Sequence, residues 1–449
     1  MDLPPGVAAN APTPRVVQFP ISERRIDPDA AKVVRRLTRY GYQAYLVGGC
    51  VRDLLLGRTP KDFDVATSAR PNDVKALFRN CRIIGRRFRL AHILFGGSKV
   101  IEVATFRRDP NLEIETSEWT EEEGDSAVPG AATRVQTRAK SRDEDLLIVR
   151  DNVFGDPHED AVRRDFTMNA LFYDLDRQEI VDYVGGLDEI ERRVIRTIGE
   201  PDVRFREDPV RILRAIKFAA RLDLGIEPDV YDAMIVHRED LLRAARPRLL
   251  EELFRLLRGG AARRSFWIAW ETGVLSVLLP ELSSYLDDDA KFRTRLWRRL
   301  ALVDTRIAGG MSIPDPVLFA TLLQEPVEEA IEGERDALIA VGDALAETID
   351  RLAVPRRLVD RLRSILAAQK RLRAGKVGSL GRRDFFSDAA YAYGLDAEAR
   401  GTDPDEIRAI TSGRDWVARP KHKPDAPNSG KDASDSKHHA PRVHTDPAE

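Results

Sequence analysis

Cysteine is nearly absent: Cys50 and Cys81 are the two in 449 residues. That excludes a disulfide framework and any zinc site built from several thiolates. It also points to a cytoplasmic protein. No apolar run approaches the ~20 residues of a membrane-spanning helix, so no membrane partner is expected. Residues 1–21 lack the basic start and apolar centre of a signal peptide. A net charge of one sign is missing as well, because 72 Lys and Arg face 74 Asp and Glu. Taken alone, that balance argues weakly against a nucleic-acid partner. What is present is length enough for two or three domains and a charged fraction of 33%, above the roughly 25% of an average soluble chain.

The balance hides two opposed blocks. Residues 79–108 hold eight basic residues and one acid, and residues 109–128 hold eight acids and no base. Binding follows the local patch rather than the sum. Five arginines between Arg79 and Arg89, with Phe88 among them, suit a phosphate-tracking surface with a stacking ring. A solvated basic strand edge would read the same way. His92 at the end of this run reads as a structural partner rather than a base.

Periodicity divides the chain. Residues 1–26 are rich in Pro and Ala without a period and read as a disordered arm. From 27 to 175, short apolar strands alternate with short helices: strands at 44–47, 63–66, 82–85, 92–95, 100–106 and 171–175, the last paired with a further strand at 179–184, and helices at 50–56 and 71–78. The last strands follow one another without a helix, so the spacing predicts a mixed α/β sheet. The stretch 109–145 carries no core-forming pattern and reads as a mobile acidic excursion. After about 200 the period becomes helical: Val210, Leu213, Ile216, Phe218 and Leu222, then Leu249, Leu250, Leu253, Phe254 and Leu257, then Trp267, Trp270 and Val274, then Leu358, Leu362 and Ile365. Residues 176–275 are read as a helical neck, 276–418 as a helical body and tail, and 419–449 as a disordered tail.

Four groups of residues carry chemistry. Asp62 and Asp64 stand two apart on an expected strand, where a period of two puts both carboxylates on one face. Such a pair repels itself unless a divalent cation sits between, and Mg²⁺ with substrate phosphates fits oxygen ligands of this kind. Upstream, Gly48-Gly49 opens a helix where bare N–H groups can approach phosphate, with Arg52 one turn in. Glu102, on a later strand, is a candidate third catalytic carboxylate. In the run 163–169, which also holds Asp165, the residues Arg163, Arg164, Phe166 and Asn169 suit ribose or phosphate contacts, and a helix start with surface charges would read the same way. Glu207, Asp208, Arg211 and Arg214 form the last group. Asp208 and Arg211, three apart, share a helix face, either as donor and acceptor for a base edge or as an intrahelical ion pair.

These residues, in this order, resemble class II template-independent nucleotidyltransferases, the group of bacterial poly(A) polymerases and CCA-adding tRNA nucleotidyltransferases. The run 46–57 with Asp62-Phe63-Asp64 is similar to their head motif. Arg163 to Asn169 is similar to their ribose-recognition motif, and Glu207-Asp208-x-x-Arg211 to the motif that reads the incoming base. The segments 83–93 and 150–155 resemble the poly(A) polymerase branch. Lys217 departs from the Arg usual in relatives, which keeps the charge and removes a bidentate fork.

The resemblance implies an α/β head followed by a helical neck, body and tail. It implies a polynucleotide adenylyltransferase that moves AMP from ATP to an RNA 3′-hydroxyl and releases pyrophosphate. Asp62 and Asp64 would hold two Mg²⁺ ions. Gly48, Gly49 and Arg52 would contact the triphosphate, Arg164 and Asp165 the ribose, and Asp208 and Arg211 the adenine, with Glu207 orienting Arg211. The partner would be the 3′ end of mRNA or another transcript, with no template strand. The rival within the family is CCA addition to tRNA. Rivals outside it are a non-catalytic RNA-binding protein on the same fold and a nucleotidyltransferase acting on small molecules.

Overall fold

The computed structural model describes residues 13–85, 89–108 and 153–415. The acidic excursion at 109–145, the tail at 419–449 and Arg86, Arg87 and Phe88 of the arginine run lie outside the described residues. The head is one mixed sheet of eight strands: β1 (Arg15–Gln18), β2 (Ala44–Val47), β3 (Asp64–Thr67), β4 (Cys81–Ile84), β5 (Leu90–Leu94), β6 (Val100–Thr105), β7 (Leu171–Asp174) and β8 (Glu179–Asp182). Their spatial order is β1-β8-β7-β2-β3-β6-β5-β4. Neighbours run antiparallel except β3 and β6, which run parallel.

One face of the sheet is covered by α1 (Pro28–Arg39), α2 (Gly49–Leu55) and α3 (Pro71–Leu77). Asp27 fixes where α1 starts: its carboxylate accepts from the N–H groups of Asp29 at 2.8 Å and Ala30 at 3.2 Å, which satisfies two donors a helix start leaves free. Pro28 at the first position adds the φ a helix start needs. Val33, Val34 and Leu37 then face the sheet, fully buried. The other face carries a smaller apolar cluster of Val47, Ala66, Phe106, Phe172 and Ile198, closed by Ala161 of α4 (Pro157–Val162).

Two boundaries differ from expectation. The arm assigned to 1–26 contains β1, which pairs with β8 from Arg15↔Asp182 to Gln18↔Glu179, and it buries Ile21 and Ile26. Four residues with two valines make too short a run to read as a strand alone; β8, more than 160 residues away, supplies the hydrogen bonds. The head boundary at 175 also falls between two paired strands, since β8 belongs to the same sheet as β7.

The remainder is helical. It comprises α5 (Gly186–Arg192), α6 (Pro201–Glu207), α7 (Val210–Leu222), α8 (Pro228–Val236), α9 (Arg246–Arg258), α10 (Ala262–Glu271), α11 (Val274–Leu278), α12 (Pro280–Asp288), α13 (Ala290–Ala308), α14 (Asp315–Ala330), α15 (Ala337–Ala344), α16 (Ala346–Leu352), α17 (Arg356–Arg373), α18 (Phe386–Arg400) and α19 (Pro404–Thr411). A two-residue parallel pairing joins Val194–Ile195 to Gly225–Ile226, and an isolated antiparallel bridge joins Thr197 to Phe166. The apolar positions of α7 and α9 that the period picked out are all buried. Trp267 departs from it and is exposed, whereas Trp270 packs on Trp297 with ring centroids 6.2 Å apart.

Periodicity gave no sign of the charges inside the last bundle. Arg299 is fully buried and donates to Asp396 at 2.9 Å and Glu325 at 3.2 Å. Arg295 forks onto Glu325, and Arg400 binds both Glu325 and Asp396. The cluster ties α13, α14 and α18 together.

Candidate active site

The candidate site begins with β3. Asp64 is its first residue, and Asp62 precedes the strand rather than lying on it. In the parallel β3–β6 register, Asp64 stands opposite Glu102, so both project from the same face. Three carboxylates therefore converge on one strand end. Asp64 is open to water yet crowded by protein. Burial, then the charges of Glu102 and Asp62, push its pKa from 3.8 up to about 6, against a smaller lowering by Arg164. Burial first, and like charge second, disfavour its ionised form. Among the described residues, no group of three or more His, Cys, Asp and Glu could hold a metal ion unaided. Mg²⁺ does not require one, since it binds through one or two carboxylates and completes its shell with water and substrate phosphates. Asp62 and Asp64 fit that description, and the raised pKa marks where a cation would relieve repulsion.

Gly48 and Gly49 lie beside this edge at the start of α2. Gly48 adopts φ 71° and ψ −129°, a conformation that disfavours any side chain. A Cβ there would also lie 3.2 Å from Nη1 of Arg164. Gly48→Ala is expected to destabilise the fold by about 1–3 kcal/mol and to displace Arg164. A urea melt with a parallel activity assay checks both.

Arg52 is buried rather than open to a ligand. Its Nε and Nη2 donate to Asp53 at 2.9 and 2.7 Å, and its Nη1 donates to Asn169 Oδ1 at 2.6 Å. Its guanidinium lies over the Phe218 ring of α7, 5.0 Å from the centroid. Asn169 passes the chain on: its Nδ2 donates to Asp165 Oδ1 at 3.1 Å, and Asp165 Oδ2 pairs with Arg214 at 2.7 Å. Burial raises the Asp165 carboxyl, but Arg214, Asn169 and the Phe166 N–H outweigh it and hold its pKa low. The expected ligands Arg52, Asp165, Asn169 and Arg214 thus form one polar chain joining head to neck.

Asp160 was missed by the sequence reading. It is buried on α4 and binds three partners. Arg163 forks onto Oδ1 at 2.9 and 2.7 Å, Arg164 onto Oδ2 at 3.2 and 2.9 Å, and the Arg107 N–H donates at 3.2 Å. Burial raises its pKa, and the two arginines more than reverse that, leaving it lowered. With Nη1 also on the carbonyl of Asn169 at 3.0 Å, Arg164 is fixed next to Gly48. The spacing from Asp160 to Arg163 and Arg164, three and four residues, was the available signal.

In the neck, Asp208 and Arg211 do not share a helix as the spacing suggested. α6 stops at Glu207, and α7 starts after Pro209. Proline pushes the residue before it out of helical geometry, so Asp208 has φ −149° and ψ 88° and sits at the joint. Glu207 accepts from Arg211 at 2.9 Å and from Arg204 at 2.8 Å. Both Asp208 oxygens are held by the fork of Arg248 on α9, at 2.8 and 2.7 Å. Lys217 pairs with Glu252 on α9 at 3.0 Å. Both cysteines are buried, and burial pushes the Cys50 thiol up to about 12, so neither offers a thiolate at neutral pH.

The family profile described as "Poly A polymerase head domain" matches residues 44–196, and "Probable RNA and SrmB- binding site of polymerase A" matches residues 223–286. Poly(A) polymerase I of Salmonella typhi is 40% identical over 373 residues, covering 80% of this chain and 76% of that protein. A CCA-adding enzyme of Geobacillus thermodenitrificans is 34% identical over 330 residues, covering 72% and 73%. Among solved structures, the Bacillus stearothermophilus CCA-adding enzyme in complex with CTP matches with a TM-score of 0.57 at 27% identity, covering 86% of this chain and 82% of that one.

Proposed function

The chain belongs to the poly(A) polymerase family, and on that premise we propose that it extends RNA 3′ ends with AMP from ATP, without a template. The observation that carries this reading is the meeting of Asp62, Asp64 and Glu102 at one strand end of a polymerase head. The partner is an RNA 3′ end. No described helix is long and apolar enough to cross a membrane. We infer a cytoplasmic site of action from the scarcity of cysteine.

In the reaction, the RNA 3′-hydroxyl gives up its proton to water as its oxygen attacks the α-phosphorus of ATP in line. The bond to the bridging oxygen breaks, and pyrophosphate leaves. Little is asked of the protein beyond positioning and charge neutralisation. Asp62 and Asp64 would hold Mg²⁺, two ions in our reading, which when bound neutralise triphosphate charge and make the 3′-hydroxyl more acidic. Gly48 and Gly49 let the backbone approach the phosphates. Arg164, anchored by Asp160, adds positive charge beside Gly48. Arg52 and Asn169 act by holding α2 against the turn at 167–169, and Asp165 with Arg214 extends that support into the neck. Glu207 orients Arg211 towards the incoming base. Asp208 is committed to Arg248, so it acts on base choice by fixing the joint.

The second reading is CCA addition, supported by the fold shared with a CTP-bound CCA-adding enzyme. Labelled ATP and CTP offered separately to a generic RNA and to a trimmed tRNA distinguish the two. Long adenylate tracts on the generic RNA are expected. Two C's and one A confined to the tRNA would overturn the reading. Asp208→Ala is expected to narrow the preference for ATP over CTP about tenfold with RNA affinity little changed, as kcat/KM ratios and a filter-binding titration would record.

A further inference from the structure

Register carries the carboxylate edge further across the sheet than the three acids. Asp64 stands opposite Glu102, Glu102 opposite His92, and His92 opposite Arg82. Directly opposed residues project from the same face. The four side chains therefore form one line over β3, β6, β5 and β4, running from two acids through an imidazole to a cation. Their neighbours on that face are apolar: Leu90 and Leu94 flank His92, and Val100 and Ala104 flank Glu102. Within the line, His92 Nε2 lies 3.4 Å from Glu102 Oε1. The imidazole is 20% exposed and the carboxylate 49%. A stiff, shielded ring thus stands against a flexible, half-open acid. Among the described residues, His92 is the one cation-forming side chain within ion-pair reach of Glu102.

We propose that His92 is a positioning residue for nucleotidyl transfer, holding the Glu102 carboxylate in place beside Asp64. The inference rests on the catalytic reading above. Glu102 has three rotatable side-chain bonds and is open to solvent on one side. Without an anchor it would sample rotamers that point away from Asp64, and the geometry of the acid cluster would be lost for much of the time. His92 supplies the anchor from β5 with a ring that has two rotatable bonds and an Nε2 within ion-pair reach of the Glu102 carboxylate. Arg82, exposed on the edge strand, places a fixed positive charge at the far end of the line. This is the arrangement by which supporting groups orient the residues that meet the substrate.

The test is steady-state AMP transfer to RNA by the full chain. His92→Ala is expected to lower kcat about 10- to 100-fold, the usual loss for such a partner, with KM for ATP unchanged. His92→Gln, whose amide nitrogen reaches the Nε2 position, should recover most of the rate. His92→Asn, whose amide stops near Nδ1, should not. His92→Ala combined with Glu102→Ala should be no slower than Glu102→Ala alone. Unchanged kcat in His92→Ala would overturn the proposal, as would equal rates for the Gln and Asn variants or losses that multiply in the double variant. If His92→Ala does not fold, the Gln and Asn comparison decides. A wild-type chain that adds no AMP to RNA would refute the polymerase reading itself, whereas normal wild-type extension with an indifferent His92 refutes only this inference.

Discussion

Replacing Asp62 and Asp64 together by alanine is expected to reduce AMP transfer at least about 10³-fold, the scale on which charge-stabilising groups act in phosphoryl transfer. Circular dichroism should be unchanged. Residual extension near the wild-type rate would mean that these carboxylates do not form the metal site. Stability should move in the opposite direction. The Asp64 pKa is raised from 3.8 to about 6, by burial first and then by Glu102 and Asp62. The folded chain therefore holds this proton more tightly than the unfolded chain. The stability linked to it is fully present below the ordinary value of 3.8, is lost as pH rises through about 6, and leaves the ionised group unfavourable at neutral pH. Asp64→Asn in EDTA at pH 7 should stabilise the fold by about 1 kcal/mol after screening by solvent is allowed for. Added Mg²⁺ should raise the melting temperature of the wild type and leave the double alanine variant unmoved. A double variant that Mg²⁺ still stabilised would place the cation elsewhere.

Asp160→Ala is expected to be the most damaging single change to the head. It strips the shared partner from Arg163 and Arg164 and removes an acceptor from the Arg107 N–H. Removing a buried carboxylate that accepts from two part-buried arginines costs about 1.5–3 kcal/mol. Activity should fall with stability, because Arg164 loses the anchor that keeps it beside Gly48. Asp160→Asn preserves the shape and discards the charge, so it should recover part of the stability. The pH dependence has the opposite sign to that of Asp64. Arg164 and Arg163 outweigh the effect of burial and hold the Asp160 pKa below 3.8. Its contribution is present above the unfolded value and disappears as pH falls through the lower, folded one. A urea titration of wild type and Asp160→Asn between pH 7 and 3 checks this: the gap between them should shrink towards the acid end. A constant gap would mean that shape, and not charge, gives Asp160 its value.

Much of this was legible from spacing. Seven of the eight head strands and the helices at 50–56 and 71–78 announced themselves through short apolar runs between Gly, Pro and Asp. Asp62, Asp64 and Glu102 were visible as acids on expected strands, although their convergence needed the parallel β3–β6 register. Three features were hidden for a common reason: each is completed by a partner far along the chain. β1 gains its hydrogen bonds from β8, Asp208 is held by Arg248 forty residues on, and Arg299 is neutralised by Asp396 almost a hundred residues on. Local patterns carry periodicity and caps; they do not carry the far half of a pair. Arg52 shows the same limit in reverse. Its position beside two glycines suggested an open phosphate ligand, and only the folded chain reveals that Asp53 and Asn169 already occupy it.

The break at Pro209 has an evolutionary consequence. The acids proposed for the reaction gather at the start of β3 in the head, and the residues proposed to govern base choice, Glu207, Asp208 and Arg211, stand at a joint between two neck helices. On that reading, chemistry and choice sit on separate elements. A small change in the angle between α6 and α7, or in the side chain that grips Asp208, alters which nucleotide fits without disturbing the carboxylates. On the proposed reading, such a plan would let one product replace another through a hinge while the reaction centre stays as it is.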